Sequence, residues 1–437
     1  MFKKVLPLSA ILSLRFLGLF LVLPVISIYA MGMTDNMLLV GMVVGGYALT
    51  QAIFQVPFGA MSDKIGRKPT LLVGLVIFLV GSVISAYATD IYMLMLGRFL
   101  QGAGAIGSVI TAMISDLVEE EVRGKAMAIM GGFIALSFAF AMGLGPVIGA
   151  NYGIDTLFII TSVLAVLAMI LLFTKVPTPP KIKHIYHKTA KTTDILKDSN
   201  LLNMIIINAM QKGLMTVAFV IIPIILTSDT FAWERKDLYM AYLPAMIFGL
   251  VAMGPAAVFG EKHNKPKQIF LISIVLFIAS FLIMGLTTDS TTFVVGVVLF
   301  FVAFNMMEPL VQSMITKFAK VHQKGAALGI ANSVAYFATF IGGTFTGLML
   351  DISDRGVIGI SIAATATIWL LWTLKLQNPI KHSHLYISKD SIDLAKLESL
   401  ENEHIAEWYI NETENVIVIK YIPSAMDEDE LKGKILR

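Results

Sequence analysis

Two long apolar runs, at 38–61 and 70–88, flank the stretch Gly59-Ala60-Met61-Ser62-Asp63-Lys64-Ile65-Gly66-Arg67-Lys68-Pro69. A helix needs about 20 predominantly apolar residues to cross a bilayer, and each run meets that length. The stretch between them concentrates charge, because Asp63, Lys64, Arg67 and Lys68 stand close together. The sequence therefore predicts two membrane helices joined by a charged loop.

Ten further apolar runs lie on either side of this pair. They fall at 5–30, 91–114, 126–150, 155–174, 201–227, 239–260, 268–286, 292–316, 326–350 and 356–374. Only 14% of the chain is charged, against about 25% in an average soluble domain. We expect an all-α integral membrane protein with twelve transmembrane helices, numbered spans 1 to 12, and this composition excludes a soluble enzyme.

The twelve spans divide into two groups of six. The residues between the groups, 175–200, include six Lys and three Pro, which is typical of a polar linker. Pro223 within Ile221–Ile225 repeats Pro24 within Val22–Ile26 at an offset of about 200 residues, which indicates a duplication. We expect an N-terminal six-helix bundle at 1–174, a cytoplasmic linker at 175–200 and a C-terminal six-helix bundle at 201–374.

The C-terminal segment, 384–437, has a different composition, with twelve acidic residues against six Lys or Arg. Strands are expected at 384–387, 404–410 and 415–422, with a helix at 390–400. Ser424 and Asp427 are expected to open a second helix. The order βαββα is one strand short of a ferredoxin-like unit, so we expect a small cytoplasmic α+β domain of that kind.

The distribution of Lys and Arg predicts the orientation, because cytoplasmic loops retain positive charge. One set of alternating loops and termini holds 21 of these residues, whereas the opposite set holds only Arg235, Lys236 and Arg355. Both termini and the linker are therefore expected on the cytoplasmic side of a cell (inner) membrane.

Four ionisable residues stand deep inside the apolar spans: Arg15 in span 1, Arg98 in span 4, Lys212 in span 7 and Glu308 in span 10. Each costs roughly 2.5–3.5 kcal/mol to insert, so it calls for a functional explanation. Spans 1, 4, 7 and 10 hold equivalent places in three-helix repeats, and we expect all four charges to line one central cavity. The alternative is a structural hydrogen-bonding role for Arg98 and Glu308.

Glu308 is the only acid among the four and is our candidate proton carrier. A carboxylate holds its proton more tightly when it is dehydrated and less tightly beside a cation. Lys212 is the second candidate, and Arg15 and Arg98 are expected to act as fixed cationic partners. Three positive charges against one negative charge favour anionic or neutral substrates.

Prolines are expected to interrupt the same spans. Pro24, Pro223 and Pro309 lie in spans 1, 7 and 10, and Asn305 and Gln312 flank Glu308. Broken backbone beside polar side chains is tolerated in a membrane where it faces a cavity. A plain packing kink is the alternative for Pro24 and Pro223.

Three motifs carry a resemblance to a known family. The loop at 59–69 resembles the signature loop of the major facilitator superfamily, Gly-x-x-x-Asp-Arg/Lys-x-Gly-Arg-Arg/Lys, at every fixed position. Span 4 carries Arg98-x-x-Gln101-Gly102, which is similar to the second motif of the superfamily. Span 5 carries Ala141-x-x-x-Gly145-Pro146-x-x-Gly149, which resembles the motif of drug/proton antiporters, with Ala141 and Ala150 in place of glycine.

The whole chain, with its acidic tail, resembles the YajR-type group of bacterial transporters, which carry a ferredoxin-like cytoplasmic domain. This resemblance implies the major facilitator fold. It also implies a cytoplasmic latch between the halves, formed by Asp63, Arg67 and Asp116 together with the motif residues Gly59 and Lys68. The matching loop after span 8, at 261–267, is degenerate, so the latch is expected on one side only.

Glycines are expected to bring particular spans together, because a residue without a side chain lets helices approach closely. Gly59 would allow span 2 to pack on a neighbour. The cluster of Gly143, Gly145 and Gly149 would allow span 5 to approach span 11 at Gly342–Gly343.

These observations predict a proton-coupled secondary transporter, an efflux antiporter of small molecules that works by alternating access as a monomer. Its partners would be lipid, a small-molecule substrate and protons, with no nucleic acid, cofactor or metal. Without Cys or a nucleotide-binding loop, the chain offers no thiolate chemistry and no nucleotide-driven pumping. A proton symporter that imports an anionic solute is one alternative, and a membrane sensor that signals through the tail is another.

Overall fold

The computed structural model describes residues 2–178, 184–185, 192–320, 323–380, 383–392, 396–397, 405–411, 414–423 and 425–436. Within these ranges twelve helices are long and apolar enough to cross a membrane, as predicted. Spans 1 to 6 are Phe2–Leu21, Met37–Ile65, Arg67–Ala86, Ile91–Leu117, Arg123–Tyr152 and Ile154–Thr174. Spans 7 to 12 are Ser199–Leu226, Arg235–Glu261, Pro266–Leu286, Ser290–Phe318, Lys324–Ile352 and Arg355–Thr373.

Short polar side chains start many of these helices, because the first backbone N–H groups of a helix have no partner within it. Asp90, Asp198, Asp289 and Asp354 accept hydrogen bonds at the starts of spans 4, 7, 10 and 12. Asn36 does the same for span 2 through the N–H of Leu39. Each of these caps lies in the same half as the helix that it stabilises.

The motif stretch at 59–69 is almost entirely helical, so the expected loop is much shorter than predicted. Span 2 continues to Ile65 and span 3 begins at Arg67, which leaves Gly66 as the connection. Gly66 has a φ of 99°, a conformation that glycine adopts without steric cost. The reversal between the two spans therefore depends on this one residue.

Only one of the three expected proline breaks is present. The helix of span 1 ends at Leu21 and a short helix resumes at Ile26, on either side of Pro24. Pro223 and Pro309 lie inside continuous helices, so the expectation of interrupted spans 7 and 10 is wrong. Span 4 contains a break that the sequence did not indicate, because its first helix ends at Ala103 and the next begins at Gly107.

We call spans 1–6 the N half and spans 7–12 the C half. The end where span 2 finishes and span 11 starts is named the basic end, since it carries the Lys- and Arg-rich loops. The opposite end is the far end. Span 2 contacts span 11 and span 5 contacts span 8 across the halves, and span 7 also contacts span 2 and the short helix at Ile26–Met31.

Spans 2 and 11 meet at the far end through direct backbone contact between the halves. Gly41 of span 2 contacts the carbonyl of Gly343 in span 11, and Gly347 of span 11 contacts that of Met37. Nearby, the Ser27 hydroxyl donates to the carbonyl of Phe219 at 3.4 Å. No side chain separates spans 2 and 11 at these glycines, and so the two helices meet at their backbones.

Glycines at the basic end, in contrast, have free space beside them. A methyl group placed on Gly59, Gly131 or Gly132 would meet no atom of a neighbouring element within 4 Å, and the same holds for Gly325 and Gly329. The expected close packing of Gly59 is therefore not present in this conformation. Spans 2 and 11 therefore meet at the far end, whereas these basic-end glycines meet no neighbouring helix.

The glycine-rich part of span 5 packs against a different partner from the one expected. Gly145 contacts the carbonyl of Leu21 in span 1, and Gly149 lies beside Val25. Gly342 contacts Gly213 of span 7 instead of span 5. The prediction that span 5 meets span 11 is wrong, because span 1 occupies the side of span 5 that these glycines leave bare.

The tail contains the three predicted strands, at Ser383–Ser388 (β2), Ile405–Asn411 (β3) and Val416–Tyr421 (β4), all antiparallel. A helix follows at Glu428–Ile435, capped by Asp427, whereas Ser424 and most of the expected helix at 390–400 lie outside the described residues. The apolar core lies on one face of the sheet.

A fourth strand comes from the linker, which the sequence did not predict. His184–Ile185 (β1) pairs with Ile410 and Asn411 of β3, giving the order β1-β3-β4-β2. In a ferredoxin-like unit the last strand joins the sheet beside the first strand, so this addition is at the opposite edge. Burial and the nearby Lys324 lower the pKa of Lys420 in β4. Since Lys324 is the first residue of span 11, this sheet lies near the start of that span.

Candidate functional site

The C half holds an ion pair inside the membrane. The Lys212 ammonium of span 7 lies 2.8 and 2.7 Å from the two carboxylate oxygens of Glu308 in span 10. It also lies 4.8 Å from the ring centroid of Phe304. The side chains are 24% and 42% exposed, so the pair is accessible. Two of the four predicted charges therefore meet directly, and their charges cancel.

Amide side chains surround this pair. Gln211 donates through Nε2 to Glu308 Oε2 and to the carbonyl of Phe304, both at 3.0 Å. Asn332 of span 11 accepts from Gln312 at 3.0 Å and from Asn208 at 3.3 Å. Three spans thus form one polar cluster around Glu308.

The neighbours that the sequence indicated for Glu308 contribute unequally. Gln312 takes part in the cluster, whereas Asn305 donates to the carbonyl of Phe301 on its own helix. Gln211, Asn208 and Asn332 were missed because uncharged amides inside a span do not stand out as a charge does. Gln211 stands beside Lys212 in the sequence, which was the available signal.

Arg98 is enclosed within the N half. Its Nη1 donates to Gln101 Oε1 at 2.7 Å, and its Nε donates to the carbonyl of Val43 at 3.3 Å. The guanidinium lies 4.8 Å from the ring centroid of Tyr47, a favourable cation–π distance. Gln101 in turn donates to the Ser82 hydroxyl at 2.9 Å. Arg98 is fully buried, and its contacts tie spans 2, 3 and 4 together.

Arg15 is buried in a similar way. Its Nη2 lies 3.3 Å from Gln51 Oε1 and 3.4 Å from the carbonyl of Gln101, and Phe78 covers the guanidinium at 5.4 Å. Its Nε and Nη1 have no hydrogen-bond partner among the described residues. No described acidic side chain forms an ion pair with Arg15 or Arg98.

The four charges do not line one accessible cavity together in this conformation. Lys212 and Glu308 are accessible, whereas Arg15 and Arg98 are sealed inside the N half. Tyr336 of span 11 lies between the two sets, close enough to interact electrostatically with both Arg15 and Glu308. The symmetric arrangement of helices therefore brings the four charges near the centre, but only Arg15 and Arg98 are buried there.

Aromatic side chains from both halves meet beside this centre. Phe138 of span 5 lies 6.1 Å from Phe219 of span 7 and 6.3 and 6.1 Å from Phe301 and Phe304 of span 10. Phe20 of span 1 stacks edge-on against Phe138 at 4.8 Å. These rings form an apolar layer across the two halves, which the sequence reasoning did not identify.

The signature motif forms a compact ion network at the basic end. Arg67 donates from Nε to Asp116 at 2.8 Å and from Nη1 to Ser62 at 2.5 Å and to Asp63 at 2.6 Å. The Asp63 side chain is 67% exposed, and Lys68 is half-buried. Asp63, Arg67 and Asp116 are thus brought together as predicted, through bonds that lie within the N half.

The C half has an ion pair at the matching place, which the degenerate sequence did not predict. Glu261, at the end of span 8, pairs with Lys317, at the end of span 10. In the N half Arg67 pairs with both Asp63 and Asp116 and joins spans 2, 3 and 4. In the C half the pair of Glu261 and Lys317 joins spans 8 and 10.

The motif residues of spans 4 and 5 serve close packing. Gly102 contacts the carbonyl of Tyr47 in span 2, beside the hydroxyl of Thr50. In span 5, Gly145 and Pro146 are buried, and Gly149 faces Val25 just after Pro24. These residues hold span 5 against the broken part of span 1.

Comparison with known proteins gives the same fold. The family described as Major Facilitator Superfamily matches this chain over residues 8–343 and 205–391. The chain belongs to the major facilitator superfamily. Proteins of this class are membrane transporters and not enzymes, which confirms the fold class and the class of function expected from the motifs.

Relatives agree over nearly the whole length. The chain is 33% identical to the Inner membrane transport protein YajR of Escherichia coli, over 98% of this chain and 96% of that protein. It is 24% identical to the Quinolone resistance protein NorA of Staphylococcus aureus, over 84% and 96%. The crystal structure of a D-xylose–proton symporter matches with a TM-score of 0.70 at 15% identity, over 86% and 98%. This superfamily member is therefore a multi-pass inner membrane transporter.

Proposed function

We propose that this protein exports small molecules in exchange for protons by alternating access. The observation that carries the proposal is the Lys212–Glu308 ion pair, which joins spans 7 and 10 and is accessible. A carboxylate in that position is the group best placed to take up and release a proton.

The geometry supports a simple coupling step. With Glu308 ionised, it is satisfied by Lys212 and Gln211. A proton added to one carboxylate oxygen weakens the attraction to the ammonium and leaves Lys212 with an uncompensated charge. The two states therefore differ in the net charge presented at the site, and a substrate that binds there competes with the proton.

Alternating access is supported by the contrast between the two ends. In this conformation spans 2 and 11 touch through glycines at the far end, while Gly59, Gly131 and Gly325 face open space at the basic end. We assign the basic end to the cytoplasm because it carries most of the Lys and Arg. The two bundles at 1–174 and 201–374, the linker at 175–200 and the domain at 384–437 would then work as a monomer.

Export is favoured by two observations. Several relatives carry drug-resistance names, NorA among them. The span 5 motif, Gly145, Pro146 and Gly149, packs on span 1 at the far end, where an exit to the outside has to open. Span 5 also contacts span 8 of the other half, so its position is coupled to the separation of the halves.

Import of an anionic solute with protons is the second candidate, and one observation favours it. Arg15 and Arg98 have no acidic partner among the described residues, and the Lys212–Glu308 pair is neutral. The centre of the molecule therefore carries two uncompensated positive charges. A negatively charged solute would complement them.

The Glu308→Gln variant tests the proposal in membrane vesicles of known orientation, energised by an imposed pH gradient. A first screen over anionic, neutral and cationic compounds finds one whose flux depends on the gradient. In the variant, we expect the gradient-dependent flux of that compound to fall at least about tenfold, because the amide cannot exchange a proton. The matched control is Glu261→Gln, which removes another Lys-paired acid.

The direction and class of function are read in the same vesicles. Flux against the proton movement supports export, and flux with it supports import of a solute. Full gradient dependence in Glu308→Gln would exclude Glu308 as the proton carrier. Truncation after residue 381 removes the tail and tests the sensor alternative, since a transporter keeps most of its flux.

A further inference from the structure

Asp351 joins the two halves at the far end. It lies in the last turn of span 11, and its Oδ1 accepts from the backbone N–H of Met37 at 3.1 Å. Its Oδ2 accepts from the N–H of Leu38 at 3.3 Å. Met37 and Leu38 are the first residues of span 2, so a carboxylate of the C half caps a helix of the N half.

This cap differs from the others in the molecule. Asp90 accepts from the N–H groups of Tyr92 and Met93 at 2.8 and 2.9 Å, immediately after it in the chain. Span 2 already has such a local cap in Asn36, which accepts from Leu39. Asp351 takes the two N–H groups that Asn36 leaves free. It also places a negative charge at the positive end of the span 2 dipole.

The contact can exist only while the far end is closed. Gly41 and Gly343 touch within two turns of Asp351, and Gly347 contacts Met37 itself. Moving spans 2 and 11 apart at this end would separate Asp351 from Met37 and Leu38 together with these backbones. The two hydrogen bonds therefore stabilise one conformation and not the other.

The motif residue Asp63 occupies the corresponding place at the basic end. It lies in the last turn of span 2, and span 11 begins at Lys324 on the same end. Here Asp63 is exposed, and its carboxylate accepts a hydrogen bond from Arg67 of its own half. Each of the two spans thus ends in an aspartate that faces the end where the other span begins.

We propose that Asp351 is the far-end latch of the transport cycle, the counterpart of Asp63. Asp351 stabilises the conformation closed at the far end, and Asp63 stabilises the one closed at the basic end. The pair sets the balance between the two conformations. This inference rests on alternating access, as proposed above, but not on proton coupling or on the direction of transport.

The test measures the far-end distance in the purified full-length protein. The chain has no native Cys, so Tyr152→Cys and Thr288→Cys, both at exposed far-end positions of opposite halves, take spin labels selectively. Asp351→Asn is expected to shift the population ratio about three- to tenfold toward the longer distance, because it removes a charge-assisted helix cap. Asp63→Asn is expected to shift it the other way, and the double variant to return toward the wild type.

Asp90→Asn is the matched control, since it removes an equally exposed far-end cap that lies within one half. It should leave the distance distribution unchanged. An unchanged distribution in Asp351→Asn, or an equal shift in Asp90→Asn, would overturn the proposal. The measurement uses no substrate and no pH gradient, so its failure is distinct from a failure of proton coupling at Glu308.

Discussion

The N half and the C half each contain two of the four membrane charges, but they treat them in opposite ways. Arg15 and Arg98 are fully buried among amides, carbonyls and aromatic rings. Lys212 and Glu308 bond to each other and remain accessible. One half of the molecule thus encloses its membrane charges, and the other keeps them in an accessible ion pair.

The difference teaches that a charge in a membrane span does not by itself identify the site of chemistry. A buried guanidinium with no route to water stays protonated and cannot exchange a proton. The accessible carboxylate of Glu308 is able to exchange a proton. We therefore assign the fixed positive field to the N half and the proton exchange to the C half, and three comparisons test this division.

The largest expected difference lies in the stability of the two halves. Arg98→Ala empties the space between Tyr47 and Gln101 and leaves Gln101 Oε1 without its donor, so we expect a loss on the order of 3 kcal/mol. Lys212→Ala should cost about 1 kcal/mol, because that pair is partly exposed. Thermal unfolding followed by far-UV circular dichroism measures both, and equal losses would contradict the division.

A smaller difference is expected from the two glutamines that support the charges. Gln101→Leu removes the acceptor of Arg98 and the donor to Ser82, at an expected cost of about 2 kcal/mol for the unsatisfied buried groups. Gln312→Leu, the control in the C half, removes one half-buried bond to Asn332 and should cost under about 1 kcal/mol. The same unfolding measurement compares them, and a larger loss for Gln312→Leu would reverse the comparison.

The smallest effect is expected at the basic-end ion pairs. Arg67 and Asp116 are 18% and 17% exposed, whereas Lys317 and Glu261 are 34% and 37% exposed. Double-mutant cycles with Gln and Asn replacements should give a coupling near 1 kcal/mol for the first pair and about 0.5 kcal/mol for the second, because solvent screens it more. A stronger coupling at Glu261–Lys317 would show that the C half carries the dominant pair.

Much of the fold could be predicted from the sequence. Long apolar runs indicate membrane helices directly, since a much shorter helix does not cross the bilayer. All twelve predicted helices are present. Asp63, Arg67 and Asp116 were also predicted to meet. The two-residue strand His184–Ile185 could not be predicted, because so short a segment has no periodic pattern.

The candidate site was predicted less completely, for a physical reason. Sequence places Arg98 and Glu308 inside spans but does not give the face on which each lies, and burial depends on that face. Asn208 and Asn332 cost less to insert than a charge, so they gave no comparable signal. The partner of Gly145 was wrong because glycine indicates close packing without indicating which helix approaches.

The linker strand β1 has a mechanical consequence. It divides the connection between the bundles into two tethers, one of about ten residues from Thr174 to His184 and one of about seven from Ile185 to Thr192, with greatest reaches of about 35 and 25 Å. The tail sheet holds the junction of these tethers through Ile410 and Asn411. While that pairing lasts, the tail domain cannot lie farther than these distances from either bundle.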